Sequence, residues 1–352
     1  MLRPCHRLCL LAAATWLVAA DTAVARADGE VVFGAVLTLS ADEADSGHEV
    51  LDGLERAVAA LNGAGGIEVA GVSVPVRLEV FDDKGSDRRA VALARVLIER
   101  RGAAAVIAGS RPAAGLAIAA VAPAYSVPFI DVVGLPETGV AGEAPYRFSV
   151  LPSLEDRWMP ALAFAILVRR GQGSDAMDVP FALIAADPIL RDTALRLAAE
   201  WGLSPSSDVG GSSVTLLLDD PATWRGRAEG GGIVIVPACD DAKRLRELRP
   251  AGAILCTALW QRDAGPPSTE TSLGAEIAVL ALAQAISRGR SAYGPVLRDV
   301  LTLLDVDTAW GPIRFGADGR NAALSTRLYA VEPGGLHEID PADPISLWAE
   351  VP

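Results

Sequence analysis

The sequence predicts an α/β fold in which parallel sheets are covered by helices. Apolar runs that lack alternation recur along the chain, and amphipathic segments of helical period separate them. Strands that are buried on both faces need such runs, and a βαβα order places them in parallel sheets. The 352 residues exceed the roughly 250 to 300 at which one core usually stops growing. We therefore expect two lobes.

Seven apolar runs are the predicted core strands. They are "VVFGAVL" at 31, "PVRLEVF" at 75, "AAAVIAG" at 103, "VPFIDVV" at 127, "PFALIAA" at 180, "GIVIVPA" at 232 and "AGAILCT" at 251. Between the second and third runs, Ala90, Leu93, Ala94 and Leu97 share one face of a predicted helix. Gly71 separates two alternating runs in "IEVAGVSVPVRLEVF", which predicts a hairpin before the second long strand.

The amino-terminal residues have the pattern of a secretory signal peptide. Arg3 and Arg7 precede an apolar run from Leu8 to Ala20, and small residues follow at Ala25 and Ala27. This run is shorter than the roughly 20 residues of a membrane span, and the pattern predicts cleavage after Ala27. We expect residues 1–27 to be removed and the mature protein to be periplasmic.

The charge of the chain argues against a nucleic-acid partner. The formal net charge is −13, and loss of residues 1–27 removes more basic than acidic side chains. A surface of this sign repels phosphate backbones. We expect no nucleic acid among the partners.

The sequence contains few of the residues and motifs that catalysis needs. Only His48 and His337 remain after the predicted cleavage, and neither a G-x-S-x-G elbow nor a phosphate-binding loop occurs. The glycines of "GAGGI" at 63 follow a helix rather than a strand, which is the wrong context for a dinucleotide. They are better placed to end that helix. We expect no enzyme, no catalytic residues and no cofactor.

An acidic segment, "LTLSADEADSGHEV" from 37, allows two interpretations. Metal ligation would use the side chains of Asp42, Glu43, Asp45 and His48. Their spacing, however, does not reproduce a calcium loop. Ser46 and Glu49 have the S-x-x-E form of a capping box, in which Ser46 caps a helix and the acids lie at its positive end. We favour the capping interpretation and expect no metal.

Two cysteines, Cys239 and Cys256, each follow an apolar run. On consecutive parallel strands they would be close enough for a disulfide, since neighbouring strands lie about 4.8 Å apart and a bridge needs Cα atoms roughly 4.4 to 6.8 Å apart. A bridge is therefore feasible, although two inert thiols are the favoured interpretation.

Several motifs resemble the type I periplasmic binding proteins, the group that includes the leucine/isoleucine/valine-binding proteins of ABC importers. They are Leu39-Ser40, Gly47, Gly53, Ala57, Asn62, "GGI" at 65, "DD" at 82 with "AVALA" at 90, "VPFI" at 127, and "DTAWGPIRFGADGRN" near the other end. The resemblance is strongest over 31–131 and 272–331, and it is weak over 171–270.

This resemblance implies two α/β lobes with parallel sheets, joined by three hinge crossings. The crossings would fall at 146–152, 256–272 and 324–331, so that lobe 1 comprises 28–147 plus 262–325 and lobe 2 comprises 148–261 plus 326–352. It also implies a monomer that binds a small-molecule ligand between the lobes and delivers it to an ABC permease in the inner membrane. The alternative is a sensory or partner-binding protein with the same fold.

The ligand positions differ from those of the amino-acid binders in that family. Those proteins hold the ligand carboxylate with serine, alanine and threonine groups after the third and fourth strands, where this chain has "GSRPAAG" at 109 and "DVVGLPETG" at 131. The acidic residue expected after "AGAILC" is absent until Asp263. Burying a zwitterion without partners would cost several kcal/mol, so we expect a ligand other than a standard α-amino acid. The resemblance places the binding residues at Leu39, Ser40, Ser110, Arg111, Val133, Gly134, Leu135, Asp187 and Trp260.

Overall fold

The structure is a computed structural model. It describes residues 29–41, 44–136, 145–171, 179–206, 214–219, 232–248, 253–259, 269–308, 311–332 and 334–339. The predicted signal peptide, Asp42, Glu43 and Trp260 lie outside these ranges. Among the helices within them, none has the length and hydropathy needed to cross a membrane.

Elements of the first half run from β1 to α4. In chain order they are β1 (Val31–Leu37), α1 (Ala44–Gly63), β2 (Ile67–Val69), β3 (Val72–Val74), β4 (Val76–Asp82), α2 (Asp87–Val96, continued by a π-helical turn over Leu97–Arg101), β5 (Ala105–Ala108), α3 (Pro112–Tyr125), β6 (Phe129–Asp131), β7 (Arg147–Ser149) and α4 (Leu154–Gly171).

The second half has the same alternation and ends in hairpins. Its elements are β8 (Pro180–Ile184), α5 (Pro188–Glu200), β9 (Ser204–Pro205), β10 (Val214–Leu217), β11 (Ile233–Val236), α6 (Cys239–Leu248), β12 (Ile254–Ala258), α7 (Glu270–Gly289), α8 (Gly294–Thr302), β13 (Asp305–Thr308), β14 (Gly311–Arg314), β15 (Arg327–Glu332) and β16 (Gly335–Glu338).

Two separate sheets form the centres of two lobes, as predicted. The first has the strand order β4-β1-β5-β6-β7 and is parallel throughout. The second has the order β16-β15-β12-β11-β10-β8-β9, in which β15 and β16 are antiparallel to their neighbours. Apolar clusters cover both faces of each sheet. The predicted parallel sheets flanked by helices are therefore confirmed, with an antiparallel pair added to the second.

The chain passes between the sheets at three places. It leaves the first sheet after β7, returns from β12 to α7, and crosses again between β14 and β15. The predicted boundary between residues 147 and 148 falls inside β7, whose Ser149 is paired with Asp131 of β6.

Helices from distant parts of the sequence pack together in the first lobe. Arg56 of α1 donates to Ser272 at 2.5 Å and to Glu276 at 2.8 Å, both on α7. Gly53 permits this contact, because a Cβ atom there would lie 2.1 Å from the carbonyl oxygen of Ser272. Real Cβ atoms do not approach backbone so closely, so the two helices can pack at this distance only if residue 53 is glycine.

The predicted hairpin and the role of "GAGGI" are both confirmed. Strands β2 and β3 pair antiparallel around Gly71, which has a φ of 90°. The helix α1 ends at Gly63, and Gly66 then turns the chain with a φ of 90°, where a Cβ atom would lie 2.2 Å from the Val74 carbonyl oxygen.

The predicted start of α1 is wrong. The helix begins at Ala44, two residues before Ser46, so Ser46 lies in the first turn and is not the residue that caps it. Glu49 does not complete a capping box either, since its carboxylate is hydrogen-bonded by the Thr269 hydroxyl at the start of α7. The Glu49 side chain therefore contacts the start of α7 and not the backbone at the start of α1, which the local pattern had predicted.

The preference for free thiols is also wrong. Cys239 and Cys256 form a disulfide with a Cα–Cα distance of 5.0 Å. Val236 of β11 pairs with Cys256 of β12, and Cys239 begins α6 three positions after the end of β11. The neighbouring-strand geometry therefore brings the two residues together, as the spacing argument allowed.

Replacing both cysteines by serine should destabilise the second lobe. The bridge closes a loop with a sequence separation of 17 residues, for which loop-closure entropy gives about 3 kcal/mol. We expect the free energy of unfolding in urea to fall by that amount. Thiol titration of the unfolded mature protein should find no reactive thiol before reduction and two after it, whereas two before reduction would contradict the bridge.

Candidate functional site

Loops at the carboxyl ends of β1 and β4 meet around Asp82. The backbone N–H of Leu39 donates to Asp82 Oδ1 at 3.0 Å, and the Ser40 hydroxyl donates to Oδ2. The N–H of Lys84 also donates to Oδ1, at 2.9 Å. These donors hold the pKa of Asp82 below its ordinary value despite some desolvation. Ser40 is exposed and Leu39 is half-buried, so this loop presents a short polar side chain at the edge of the sheet.

Ser110 and Arg111, after β5, point into the same group of loops. Ser110 Oγ accepts from the backbone N–H of Thr38 at 2.8 Å. The Arg111 guanidinium pairs with Asp87, donates to Thr38 Oγ1 at 3.2 Å, and lies 4.0 Å from Asp83. The Arg111 side chain is only 12% exposed. It therefore ties β1, β4, α2 and α3 together.

A buried carboxylate organises the loop after β6. Asp131 is completely buried. Its Oδ1 accepts from the N–H of Val133 at 3.0 Å, and its Oδ2 accepts from the N–H of Leu135 at 2.6 Å and from the Ser149 hydroxyl at 2.9 Å. Burial raises the pKa of Asp131, although these donors and the Arg147 charge oppose the shift. The loop's own aspartate thus satisfies two of its backbone donors.

The three predicted binding residues of this loop differ in exposure. Leu135 is 1% exposed and packs on Gly115 of α3, so its side chain belongs to the core beneath the loop. Val133 is half-buried. Gly134 has a φ of 76°, and a Cβ atom there would lie 2.0 Å from the Pro152 carbonyl oxygen. The loop therefore packs closely on the first hinge crossing.

Asp187 of the second lobe caps a helix. Its Oδ1 accepts from the N–H groups of Ile189 and Leu190, at 2.8 and 2.9 Å, at the start of α5. It lies after β8, at the carboxyl end of the second sheet, where the sequence placed it. The four loops at the ends of β1, β5, β6 and β8 carry the predicted binding residues that the structure describes, while Trp260 lies outside the described residues.

Sequence reasoning missed a cluster at the hinge. Arg157 of α4 donates to Glu270 Oε2 at 2.5 Å. It also donates to the Val133 carbonyl oxygen, over a longer distance of 3.4 Å. The other oxygen of Glu270 accepts from the N–H of Leu259 at 3.1 Å. One carboxylate therefore joins α4, the end of β12 and the start of α7, beside the β6 loop. No sequence pattern signals this, because Arg157 and Glu270 are 113 residues apart.

Acidic groups from both lobes lie near the start of α1. Burial is the main reason that the pKa of Glu49 is raised, and the negative charges of Asp241 on α6 and of Asp45 and Asp52 on α1 add to it. The Thr269 hydroxyl opposes this shift. Asp241 belongs to the second lobe, so this side of the inter-lobe region carries like charges from both lobes.

The largest of the described cavities lies elsewhere. It has a volume of about 740 Å³ at the amino ends of the first sheet, and its lining includes Arg77, Arg101 and Tyr293. Arg77 and Arg101 pair with carboxylates there, Arg77 with Glu30 and Arg101 with Glu79. Open α/β sheets bind ligands at the carboxyl ends of their strands, so we place the candidate site at the opposite edge.

The described residues contain no group of side chains suited to a metal ion. His48 and His337 are both exposed, and they lie on α1 and β16, in different lobes. Within the part of the chain that the structure describes, the loops at this edge carry hydroxyls, carboxylates, backbone groups and the Arg111 guanidinium.

The capping role of Asp187 has a signal in the sequence. Asp187 precedes Pro188 at the first helical position, which is a typical helix start. Asp131 carried a weaker signal, as the one charged residue in the apolar run "VPFIDVV".

Comparison with known proteins agrees with this architecture. Residues 30–189 match the family model described as periplasmic binding protein. No curated protein sequence is significantly similar to the chain.

Three solved structures illustrate the fold match. The leucine-binding protein LivK of Thermotoga maritima has a TM-score of 0.67 at 17% identity, covering 89% of this chain and 99% of its own. LivJ of Streptococcus pneumoniae, solved with isoleucine, has 0.66 at 15%, covering 89% and 100%. A solute-binding protein of an ABC transporter from Rhodopseudomonas palustris, solved with 3,4-dihydroxybenzoic acid, has 0.68 at 13%, covering 88% and 96%.

Proposed function

We propose that the protein captures a small molecule between its two lobes. Residues 30–189 match the family model described as periplasmic binding protein, and the chain has the two-lobed fold of the solved leucine-binding proteins. The captured ligand is passed to an ABC permease in the inner membrane. The protein acts in the periplasm, after removal of residues 1–27. Such a role needs binding and closure only, since a closed state is stabilised by its higher affinity for the ligand.

The ligand in this proposal lacks the paired charges of a standard α-amino acid. The observation that supports this ligand class is that the backbone N–H groups of the β6 loop already have an acceptor. The N–H groups of Val133 and Leu135 already donate to Asp131. They are therefore not available to a ligand carboxylate, and the buried Asp131 is an acidic group beneath the same loop.

The neighbouring loops support the same ligand class. Ser110 Oγ accepts from Thr38, and the Arg111 guanidinium is held by Asp87 and Thr38. A ligand carboxylate would have to compete with Asp87 for the Arg111 guanidinium, and only the Ser110 hydroxyl would still have a proton to donate to it. Leu39 and Val133 add half-buried apolar surface at the same edge. A molecule with an apolar body and at most one charged group fits this arrangement better than a zwitterion.

A thermal-shift screen of the mature chain tests the proposal. The set contains aromatic acids and small hydrophobic metabolites, with leucine and valine for comparison. A ligand at a hundred times its dissociation constant should add about 2.7 kcal/mol of stability. We expect a compound of the first group to do so and the amino acids to have no effect. Strong stabilisation by leucine or valine would contradict the ligand class, although it would leave the binding function standing.

Two serine variants locate the site. Ser40 and Ser73 are both exposed serines of the first lobe, but only Ser40 lies at the carboxyl end of the sheet, and Ser73 is in the β2–β3 hairpin. Ser40→Trp should abolish the ligand-induced shift because the indole fills the predicted cleft. Ser73→Trp should retain it. Equal responses of the two variants would place the ligand elsewhere.

A further inference from the structure

One ion pair joins the two lobes beside the hinge crossings. Arg157 lies in the first turn of α4, whose buried apolar residues belong to the core of the second lobe. Glu270 is the first residue of α7, which contributes to the core of the first lobe. The Arg157 guanidinium donates to Glu270 Oε2 at 2.5 Å. A change in the separation of the lobes therefore has to alter the geometry of this contact.

The pair is largely shielded from solvent. The side chains of Arg157 and Glu270 are 15% and 23% exposed, respectively. Opposite charges attract more strongly in such a position than at an open surface, where water and salt screen them and most ion pairs contribute little. The contact can therefore favour one arrangement of the lobes over others.

Glu270 is itself held in place by its neighbours. Its Oε1 accepts from the backbone N–H of Leu259 at 3.1 Å, just after β12, where the chain starts its second crossing. Thr269 caps α7, because its hydroxyl oxygen accepts from the N–H of Ser272 at 3.2 Å. The carboxylate is therefore fixed relative to the first lobe and to the second crossing, and its other oxygen binds Arg157.

Arg157 also contacts the β6 loop. Its Nη1 donates to the Val133 carbonyl oxygen at 3.4 Å. The next residue, Gly134, packs against the first crossing, where a Cβ atom would lie 2.0 Å from the Pro152 carbonyl oxygen. This loop carries three of the predicted binding residues. A rotation of α4 about the first crossing would therefore displace the loop that is proposed to contact the ligand.

We propose that Arg157 is a positioning residue of the hinge, which sets the separation of the lobes in the ligand-free protein through Glu270 and links it to the β6 loop through Val133. Hinge motions are usually absorbed by a few residues in loops or at the ends of secondary-structure elements, and both partners of the ion pair lie at such ends. The inference rests on the proposed function in one respect, namely that the lobes move relative to each other.

Distances between the lobes of the ligand-free mature protein test this assignment. Nitroxide labels on Ala59→Cys of α1 and Glu247→Cys of α6, both exposed positions, report the separation by double electron–electron resonance. Arg157→Met removes the charge and keeps an apolar side chain, whereas Glu270→Gln removes the charge but keeps an oxygen for the Leu259 N–H. We expect either change to shift the mean distance by more than about 2 Å or to add a second population. The two changes together should add nothing further, because they remove the same contact.

Arg196→Met is the matched control. Arg196 pairs with Glu155, which lies on the same helix as Arg157, but both partners belong to the second lobe. This variant should leave the distances unchanged. Unchanged distances in Arg157→Met and Glu270→Gln would overturn the proposal, and so would an equal shift in Arg196→Met. A shift confined to the hinge variants would support it even if no compound stabilised the protein in the thermal-shift screen, a result that would count against ligand capture alone.

Discussion

Gly53→Ala is expected to lower the free energy of unfolding by about 3 kcal/mol, the upper end of the cost of overpacking a core. The added methyl group would lie 2.1 Å from the Ser272 carbonyl oxygen. This atom belongs to the backbone of α7, so relief requires α1 and α7 to move apart. That movement would also strain the hydrogen bonds from Arg56 to Ser272 and Glu276. Urea unfolding followed by circular dichroism measures the loss.

Gly63→Ala is the matched control for this variant. Gly63 is the last residue of the same helix and is exposed, and a Cβ atom there would have nothing within 4 Å. Helix propensity alone favours alanine by up to about 1 kcal/mol. Gly63→Ala should therefore be neutral or stabilising. If the two variants differed by less than about 0.5 kcal/mol, the close approach of α1 to α7 would be refuted.

Asp131→Ala should lower the free energy of unfolding by at least about 2 kcal/mol, because two buried donors and one partly buried donor lose their acceptor, and each unsatisfied buried group costs about 1 to 3 kcal/mol. The donors are the N–H groups of Val133 and Leu135 and the Ser149 hydroxyl. Ser149→Ala removes only one of these bonds and should cost about 1 kcal/mol. The free energy of unfolding in urea is the measurement, and similar losses in the two variants would contradict the organising role of Asp131.

Asp131→Asn separates the charge of this group from its shape. Burial raises the pKa of Asp131 in the folded protein, so the unfolded chain releases this proton first. Its contribution to stability is therefore fully present below the unfolded pKa of about 3.9 and is lost as the pH rises through the folded pKa. The free energy of unfolding of the unmodified protein, minus that of Asp131→Asn, should decrease over this range. A difference that does not change with pH would show that the pKa is not raised.

Local patterns predicted the elements whose signal is contained in a few neighbouring residues. The continuous apolar runs around Phe33, Ile107 and Ile235 identified central strands, since such strands need apolar side chains on both faces. The run around Val214 in β10 is short and follows a segment rich in glycine and serine, so periodicity could not identify it. The edge strand β16 was missed because its residues are all exposed and carry no apolar pattern. The strand β15 buries Leu328, Tyr329 and Val331, but its short run fell within the predicted third crossing at 324–331.

The candidate site was harder to predict because its contacts join distant residues. The sequence placed Ser40, Ser110 and Val133 at the carboxyl ends of strands, and the structure has them in the loops that follow β1, β5 and β6. It could not show that Arg111 is held by Asp87, or that Asp131 occupies the donors of the next loop. These contacts depend on side-chain directions, which strand order alone does not determine. Their roles in ligand binding stay predictions.

The packing of α1 on α7 has a consequence for the order in which the chain folds. Arg56 and Glu276 are 220 residues apart in sequence, and the core of the first lobe combines Leu54 and Val58 with Ile277 and Leu282. An amino-terminal fragment that ends before residue 270 lacks the surface that buries this face of α1. The first lobe can therefore complete its core only after the segment that forms most of the second lobe has been synthesised. Contacts at such separations slow folding, and during this delay the apolar face of α1 is open to aggregation with other chains.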